Sequence, residues 1–172
     1  TGGIAAWRAV DGTYFNPYPE VGGYLIPTML ENGLAEQAER TADWLVSIQN
    51  KDGSWNGLDN IPRPFDTSAI IEGLLSVYKS TENERYLEAG KRALDWMYTQ
   101  VDPMGYLYNS IVKHEPELYN LRASAIILNK GEFHYWKKFG MIDGYTRSHY
   151  LAYALEGLLN FGDEETVVEY LS

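Results

Sequence analysis

Three residue types that move protons stand at comparable places in this chain: Glu20, Asp66 and His149. Each closes or follows a turn-rich stretch and leads into an apolar run. Four such stretches occur in order: Tyr18-Pro19-Glu20, Arg63-Pro64-Phe65-Asp66-Thr67, Glu115-Pro116-Glu117-Leu118-Tyr119-Asn120 and Tyr145-Thr146-Arg147-Ser148-His149. All of them set a charged or proton-transferring group beside aromatic rings. A sugar site uses this mixture, with a flat ring against the C–H face and carboxylates, Arg or His on the hydroxyls.

Two chemistries fit these residues, and both stay open. Glu20 and Asp66 at the starts of neighbouring helices, which pack ~8–10 Å apart, suit the ~6.5–9.5 Å spacing of an inverting acid/base carboxylate pair. His149 with Arg147 or Tyr145 instead suits proton abstraction beside a uronic carboxylate held by Arg. Tyr18, Tyr24, Trp55, Arg63, Tyr145 and Arg147 are the candidate substrate-binding residues. Each has a plainer reading. Asp66 and Thr67 are preferred helix-capping types, worth ~1 kcal/mol. Glu20 and Glu117 suit the positive end of a helix. Trp55 can wedge between helical hairpins, and His149 can be a satisfied structural histidine. His114 and His134 read as surface or packing residues.

The elements that position these groups follow from a recurring signature. Asp11-Gly12-Thr13-Tyr14, Asp52-Gly53-Ser54-Trp55, Met104-Gly105-Tyr106 and Asp143-Gly144-Tyr145 each place an aromatic within two residues of a turn glycine. Their spacing of roughly 40 to 50 residues is that of helix-pair repeats. Between them, nearly all-apolar segments alternate with one-sided ones. Gly22 to Glu31 and Ser68 to Tyr78 read as helices buried all round, with Pro27 near the first turn or at a kink. Leu34 to Gln49 keeps Leu34, Ala38, Ala42, Leu45 and Ile48 on one stripe and its charges on the other. Thr81 to Glu84 reads as a capping box that opens Arg85 to Gln100, with Leu87, Gly90, Leu94 and Met97 inward. Leu118 to Leu128 and His149 to Asn160 continue the apolar series. An inner layer wrapped by half-wet partners is an α/α double layer. The expectation is an all-α single domain over 1–172: an α/α-hairpin repeat forming a toroid, or about half of one. Its N-terminal segment, 1–21, is irregular or a small β-hairpin, and its hairpin units are 22–57, 65–109, 117–142 and 145–172.

Tyr18-Pro19-Glu20-Val21-Gly22-Gly23-Tyr24-Leu25-Ile26-Pro27-Thr28, Asp43 to Gln49, Asp52-Gly53-Ser54-Trp55, Phe65-Asp66-Thr67 and His149 to Leu159 resemble the six-hairpin (α/α) toroids of carbohydrate enzymes. That superfamily includes unsaturated glucuronyl hydrolases, sugar 2-epimerases, glucuronyl C5-epimerases and members encoded with polysaccharide genes. Gln49-x-x-Asp52-Gly53-x-Trp55 also resembles the repeat of squalene cyclases and protein prenyltransferases, which share the toroid. The resemblance implies a site at the rim where loops lead into the inner helices. A complete toroid needs roughly twice the hairpins present here. The chain is therefore a fragment, a reduced form, or a half that a homodimer completes or covers.

Composition narrows the partners. The 172 residues carry a net charge of −10, and no basic cluster exceeds Lys137-Lys138, which disfavours nucleic acid and anionic membranes. The 14 Tyr and 5 Trp suit a wet, ring-lined cleft better than a core. With no cysteine, disulfides, thiolate metal sites and thiol nucleophiles are excluded. Asn50, Asp52 and Asp59-Asn60 crowd one loop but lack the calcium-loop pattern with its closing Glu, so no metal or cofactor is expected. No apolar run approaches the ~20 residues of a membrane span, and the given chain shows no signal-peptide pattern, which leans towards the cytoplasm. The leading expectation is a carbohydrate-active protein of polysaccharide or uronic-acid sugar metabolism, of hydrolase, epimerase or lyase type. Its rivals are a noncatalytic helical-repeat module that binds a sugar or protein, and a terpenoid-cyclase or prenyltransferase-like toroid fragment.

Overall fold

The computed structural model of the protein describes residues 2–100. They form four α-helices, α1 (Pro19–Glu31), α2 (Ala35–Ser47), α3 (Pro64–Thr81) and α4 (Glu84–Thr99), and β-pairing among them is limited to isolated bridges. These residues are all-α. All but the last few lie in one compact unit, Thr1–Trp96, and a second unit begins at Met97. The expected units 117–142 and 145–172, and the end of 65–109, fall outside the described residues.

Ahead of α1 the chain doubles back on itself. Antiparallel bridges join Ala5 to Pro17 and Arg8 to Tyr14 around the Asp11-Gly12 turn, where Asp11 Oδ1 accepts the Thr13 N–H at 2.9 Å. Helix α1 then starts at Pro19, whose missing N–H costs nothing in a first turn. That is earlier than the expected Gly22, and Pro27 lies well inside the helix, not near its start. A proline there removes the donor that the Gly23 carbonyl would otherwise receive.

That carbonyl faces α3. A Cβ built on Gly73 would stand 2.6 Å from Gly23 O, and one built on Gly23 would stand 2.6 Å from Ala69 O. The two helices touch backbone to backbone, which only glycine allows at both positions. Helix α1 buries Pro19, Gly22, Gly23 and Ile26, a single face, and so is not enclosed on all sides as its apolar sequence implies. Helix α3 meets that expectation over Phe65 to Ile71, all buried; beyond them Gly73, Leu74 and Val77 are buried and Glu72, Leu75, Ser76 and Tyr78 are only half-buried. Helix α2 packs on both of the others through Ala38, Thr41, Ala42 and Leu45. Leu34 and Ile48, at the ends of its stripe, are left 44% and 38% exposed because they lie beyond the packed turns.

The α3–α4 junction differs from the expected capping box. Thr81 closes α3, its hydroxyl donating to Val77 O at 2.8 Å, and Glu82 takes the left-handed conformation. Asn83 caps α4 instead, its Oδ1 accepting the Arg85 N–H at 3.3 Å. Helix α4 buries Tyr86, Ala89, Gly90, Ala93, Trp96 and Met97; of the expected stripe Gly90 and Met97 are inward, whereas Leu87 and Leu94 are only half-buried. Asp43 of α2 ties it down, accepting from Tyr86 Oη at 2.6 Å and from Arg85.

Replacing Gly73 by Ala should destabilise the protein by about 2–3 kcal/mol, the cost of overpacking against rigid backbone. Gly90, whose Cβ would meet nothing closer than 4.0 Å, should accept Ala with a gain of about 0.5–1 kcal/mol. Urea unfolding midpoints of the two variants check the contrast.

Candidate functional site

The close contact of α1 with α3 brings their first turns together. Tyr18, just before α1, donates its hydroxyl to Asp66 Oδ2 in the first turn of α3 at 3.1 Å, and Glu20 lies near enough to bear on the acidity of both. Arg63 precedes α3 in extended conformation. Its guanidinium forks onto Asp59, with Nη1 to Oδ1 at 2.9 Å and Nη2 to Oδ2 at 2.5 Å.

Gly57 makes room for this. A Cβ there would stand 2.5 Å from Arg63 Nη1 and 3.0 Å from Asp66 Oδ2. The loop that carries it is folded by the Asn56–Pro62 bridge, by Gly57 N–H on Ile61 O at 3.0 Å and by Asn60 at positive φ. Five elements of sequence thus converge: the hairpin end, α1, the 57–60 turn, Arg63 and α3.

Asp66 is 3% exposed. Burial penalises its charged form most, and the nearby Glu20 charge adds to this, so its pKa is pushed up to about 7 against the opposing pulls of Tyr18 and Arg63. Tyr18 is likewise pushed up, by burial and then by the neighbouring Glu20. Arg63 does the reverse to Asp59, which falls to about 2 chiefly through their hydrogen bonds. The site therefore separates its carboxyls. Asp59 is spent on Arg63, and Asp66 keeps a proton near neutral pH, as a general acid requires.

Of the nine expected site residues, Glu20, Asp66, Tyr18 and Arg63 are assembled here. Tyr24 flanks them, its ring centroid 6.2 Å from that of Phe65. Trp55 does not join them. It is wholly buried and donates its indole N–H to Leu45 O at 2.7 Å, occupying one of the carbonyls that a helix end leaves open. Its place is that of a wedge and cap, so it offers no face to a ligand. His149, Tyr145 and Arg147 lie outside the described residues. Gly57 and Asp59 belong to the site without having been expected there; Asp59 four residues before Arg63 was the available signal. Asp66 does not cap α3, since its carboxyl is engaged by Tyr18. Thr67 Oγ1, next to it and buried, has no hydrogen-bond partner among the described residues.

No protein-family model matches this chain. Over 77 residues, 44% of its length, it is 34% identical to terpentedienyl-diphosphate synthase of Kitasatospora griseola. The matched stretch spans 15% of that protein.

Asp66 bears on stability with a definite sign. Its folded pKa lies above its ordinary 3.8, at about 7, so the stabilisation it gives is fully present below about pH 4 and is lost as pH rises through 7. Asp66→Asn, fixed in the neutral form, should match the parent protein near pH 4.5 and be more stable than it at pH 8. Thermal midpoints at the two pH values check this, and a variant less stable at pH 8 would overturn the assignment.

Proposed function

We propose that the protein is an α/α-hairpin toroid, or a segment of one, and that the cluster around Asp66 is its acid–base site, acting on a carbohydrate. One observation carries the reading: a carboxyl held at 3% exposure, with its pKa raised to about 7, is bonded to a tyrosine instead of to the helix end it stands on. A group kept there costs the fold stability above neutral pH, and such costs are commonly retained for function.

The choice of substrate class rests on the lining. Tyr18, Glu20, Arg63 and Asp66 offer hydrogen-bonding groups of both kinds beside the Tyr24 and Phe65 rings. Sugar hydroxyls can hydrogen-bond to such groups, whereas a hydrocarbon chain gains nothing from them. In this reading Asp66 gives its proton to a leaving oxygen, and Glu20 is the second carboxyl. The glucuronyl hydrolase and epimerase resemblance of the sequence agrees with it.

A second reading comes from the partial match to terpentedienyl-diphosphate synthase. A protonated Asp66 could equally start the cyclisation of a polyene, and the segment around Gln49 to Trp55 resembles the repeat of toroidal cyclases. The polar lining weighs against it.

Purified full-length protein should turn over a uronic-acid-containing or neutral oligosaccharide and leave prenyl diphosphates unchanged, with products read by mass spectrometry. Asp66→Asn should lower turnover by about 10²- to 10⁴-fold with folding intact, and the rate should fall as pH rises above about 7 because Asp66 then loses its proton. Cyclised prenyl product would establish the second reading, and sugar binding untouched by Asp66→Asn would mean a noncatalytic module.

A further inference from the structure

The volume left empty by Gly57 is bordered by three charged groups. A Cβ there would stand 2.5 Å from Arg63 Nη1, 3.0 Å from Asp66 Oδ2 and 3.4 Å from Asp59 Oδ1. One guanidinium nitrogen thus has an oxygen of each aspartate across the same small gap. Its ion pair is made with Asp59 alone among the described residues. By charge this is the less expected partner, because Asp66 is 3% exposed and an opposite charge is felt most where water is excluded. Another constraint decides the pairing.

That constraint is the loop. Asp59 and Arg63 stand four residues apart on it, and the Asn56–Pro62 bridge folds it. Asp59 Oδ1 accepts the Ile61 N–H at 3.2 Å, and Arg63 Nη1 donates to Ile61 O at 3.4 Å. One residue therefore orients both members of the pair, which leaves less side-chain freedom to lose when the fork closes. Asp66 has no such preparation. It stands on α3, and its Oδ2 already accepts from Tyr18 at 3.1 Å.

We propose that Asp59 is a positioning residue, which keeps the Arg63 guanidinium on the loop side of the Gly57 gap and so prevents it from pairing with Asp66. Its bearing on catalysis rests on reading Asp66 as the acid of the site. Without Asp59 the guanidinium loses its carboxylate on the loop, and no side chain at position 57 stands between it and Asp66 Oδ2. A charge-assisted bond across the gap favours the ionised carboxyl. Asp66 would then stand at neutral pH as a base instead of an acid. The groups that bear on Asp66 are Glu20 and Tyr18 at the start of α1, and Arg63 and Asp59 before α3. Only the last two change partners in this exchange. Asp59, with its pKa held to about 2, stays charged well below neutral pH, so the shape of the loop sets the pairing and mild acid does not undo it.

The test is the titration of the Asp66 carboxyl by carbon NMR in the full chain, which needs no substrate. Asp59→Asn should lower the proton affinity of Asp66 by about tenfold or more. Loss of a nearby negative charge does part of this by itself, so the deciding measurement is a cycle with Arg63→Gln. That change should raise the affinity by about threefold or less in the parent and by about tenfold or more in Asp59→Asn, the non-additivity of a guanidinium that has moved. Equal effects in the two backgrounds mean fixed charges and overturn the proposal. Should Arg63→Gln not fold, a crystal structure of Asp59→Asn decides. Arg63 within hydrogen-bond distance of Asp66 supports the proposal, and Arg63 left on the loop or turned to solvent overturns it. In turnover, Asp59→Asn should move the descending limb of the pH–rate profile down by about one unit or more. The titrations are readable whether or not a sugar is turned over, so a failed acid reading and a failed proposal are told apart.

Discussion

The backbone contact of Gly23 with Gly73 is the constraint from which the rest of the described structure follows. A helix pair separated by ordinary side chains keeps its axes ~8–10 Å apart. With glycine on both sides, and with Ala69 beside them, α1 and α3 come so close that neither glycine position has room for a Cβ. Pro27 contributes by leaving the Gly23 carbonyl without its helical donor, so that the oxygen is turned towards α3 with a lone pair to spare. The effect of this close approach is geometric. Any wider separation would take Tyr18 away from Asp66, because both stand on the first turns of the two helices.

A second fixture holds the outer side. Gln49 uses both ends of its amide, donating to Gly53 O and Ala89 O at 2.9 Å each and accepting from Arg92. Gly53, at φ 97°, lies so near α4 that a Cβ there would stand 2.2 Å from Arg92 O. Trp55 closes the end of α2 from the inside. The stretch from Gln49 to Trp55 is thus a staple joining the end of α2, its loop and the middle of α4. Its polar residues are turned inward on one another, with Asp52 Oδ1 accepting from the Ser54 amide and hydroxyl. The following turn, from Gly57 to Asn60, is set by this staple on one side and by α3 on the other. The site is therefore carried between two rigid contacts.

Much of this was legible in the sequence, for identifiable reasons. The stripe of α2 and the uniform apolarity of α3 report burial directly, and the turn glycines Gly12 and Gly53 announce themselves by type. Tyr18, Glu20, Arg63 and Asp66 were readable as a group because each lies just ahead of, or in the first turn of, a helix, and helices of an inner layer bring those turns to one end. What failed was whatever depended on close approach. Helix α1 is apolar on most sides and yet buries one, since its buried face consists of glycines that no hydrophobicity pattern distinguishes from a loop. Thr81 and Glu84 match a capping box by spacing, but the chain passes through a left-handed Glu82 first, which hands the cap to Asn83. Trp55 was conspicuous as an aromatic in a polar loop. That it faces inward depends on an open carbonyl at Leu45, which sequence does not reveal. Gly57 was invisible because its importance lies in what would collide with its missing side chain.

The electrostatic layout argues for use of the site and against a purely architectural one. If three carboxyls and one arginine served only to hold two helix starts together, the cheapest arrangement would share the positive charge among all of them. The structure concentrates it. Asp59, exposed at the side-chain level to 44%, takes the fork of Arg63, and Asp66, which has the least water, is left with a tyrosine and a neighbouring glutamate. Solvent would have stabilised Asp59 without help, whereas Asp66 needed the guanidinium and receives only its field. An ion pair at the wet carboxyl is worth little to stability, and a like charge beside the dry one is unfavourable. Both choices lose stability, and together they hold a proton on a buried oxygen at neutral pH. The cost falls on the fold and the raised proton affinity falls on Asp66, and it is on this imbalance that the proposed acid–base role rests.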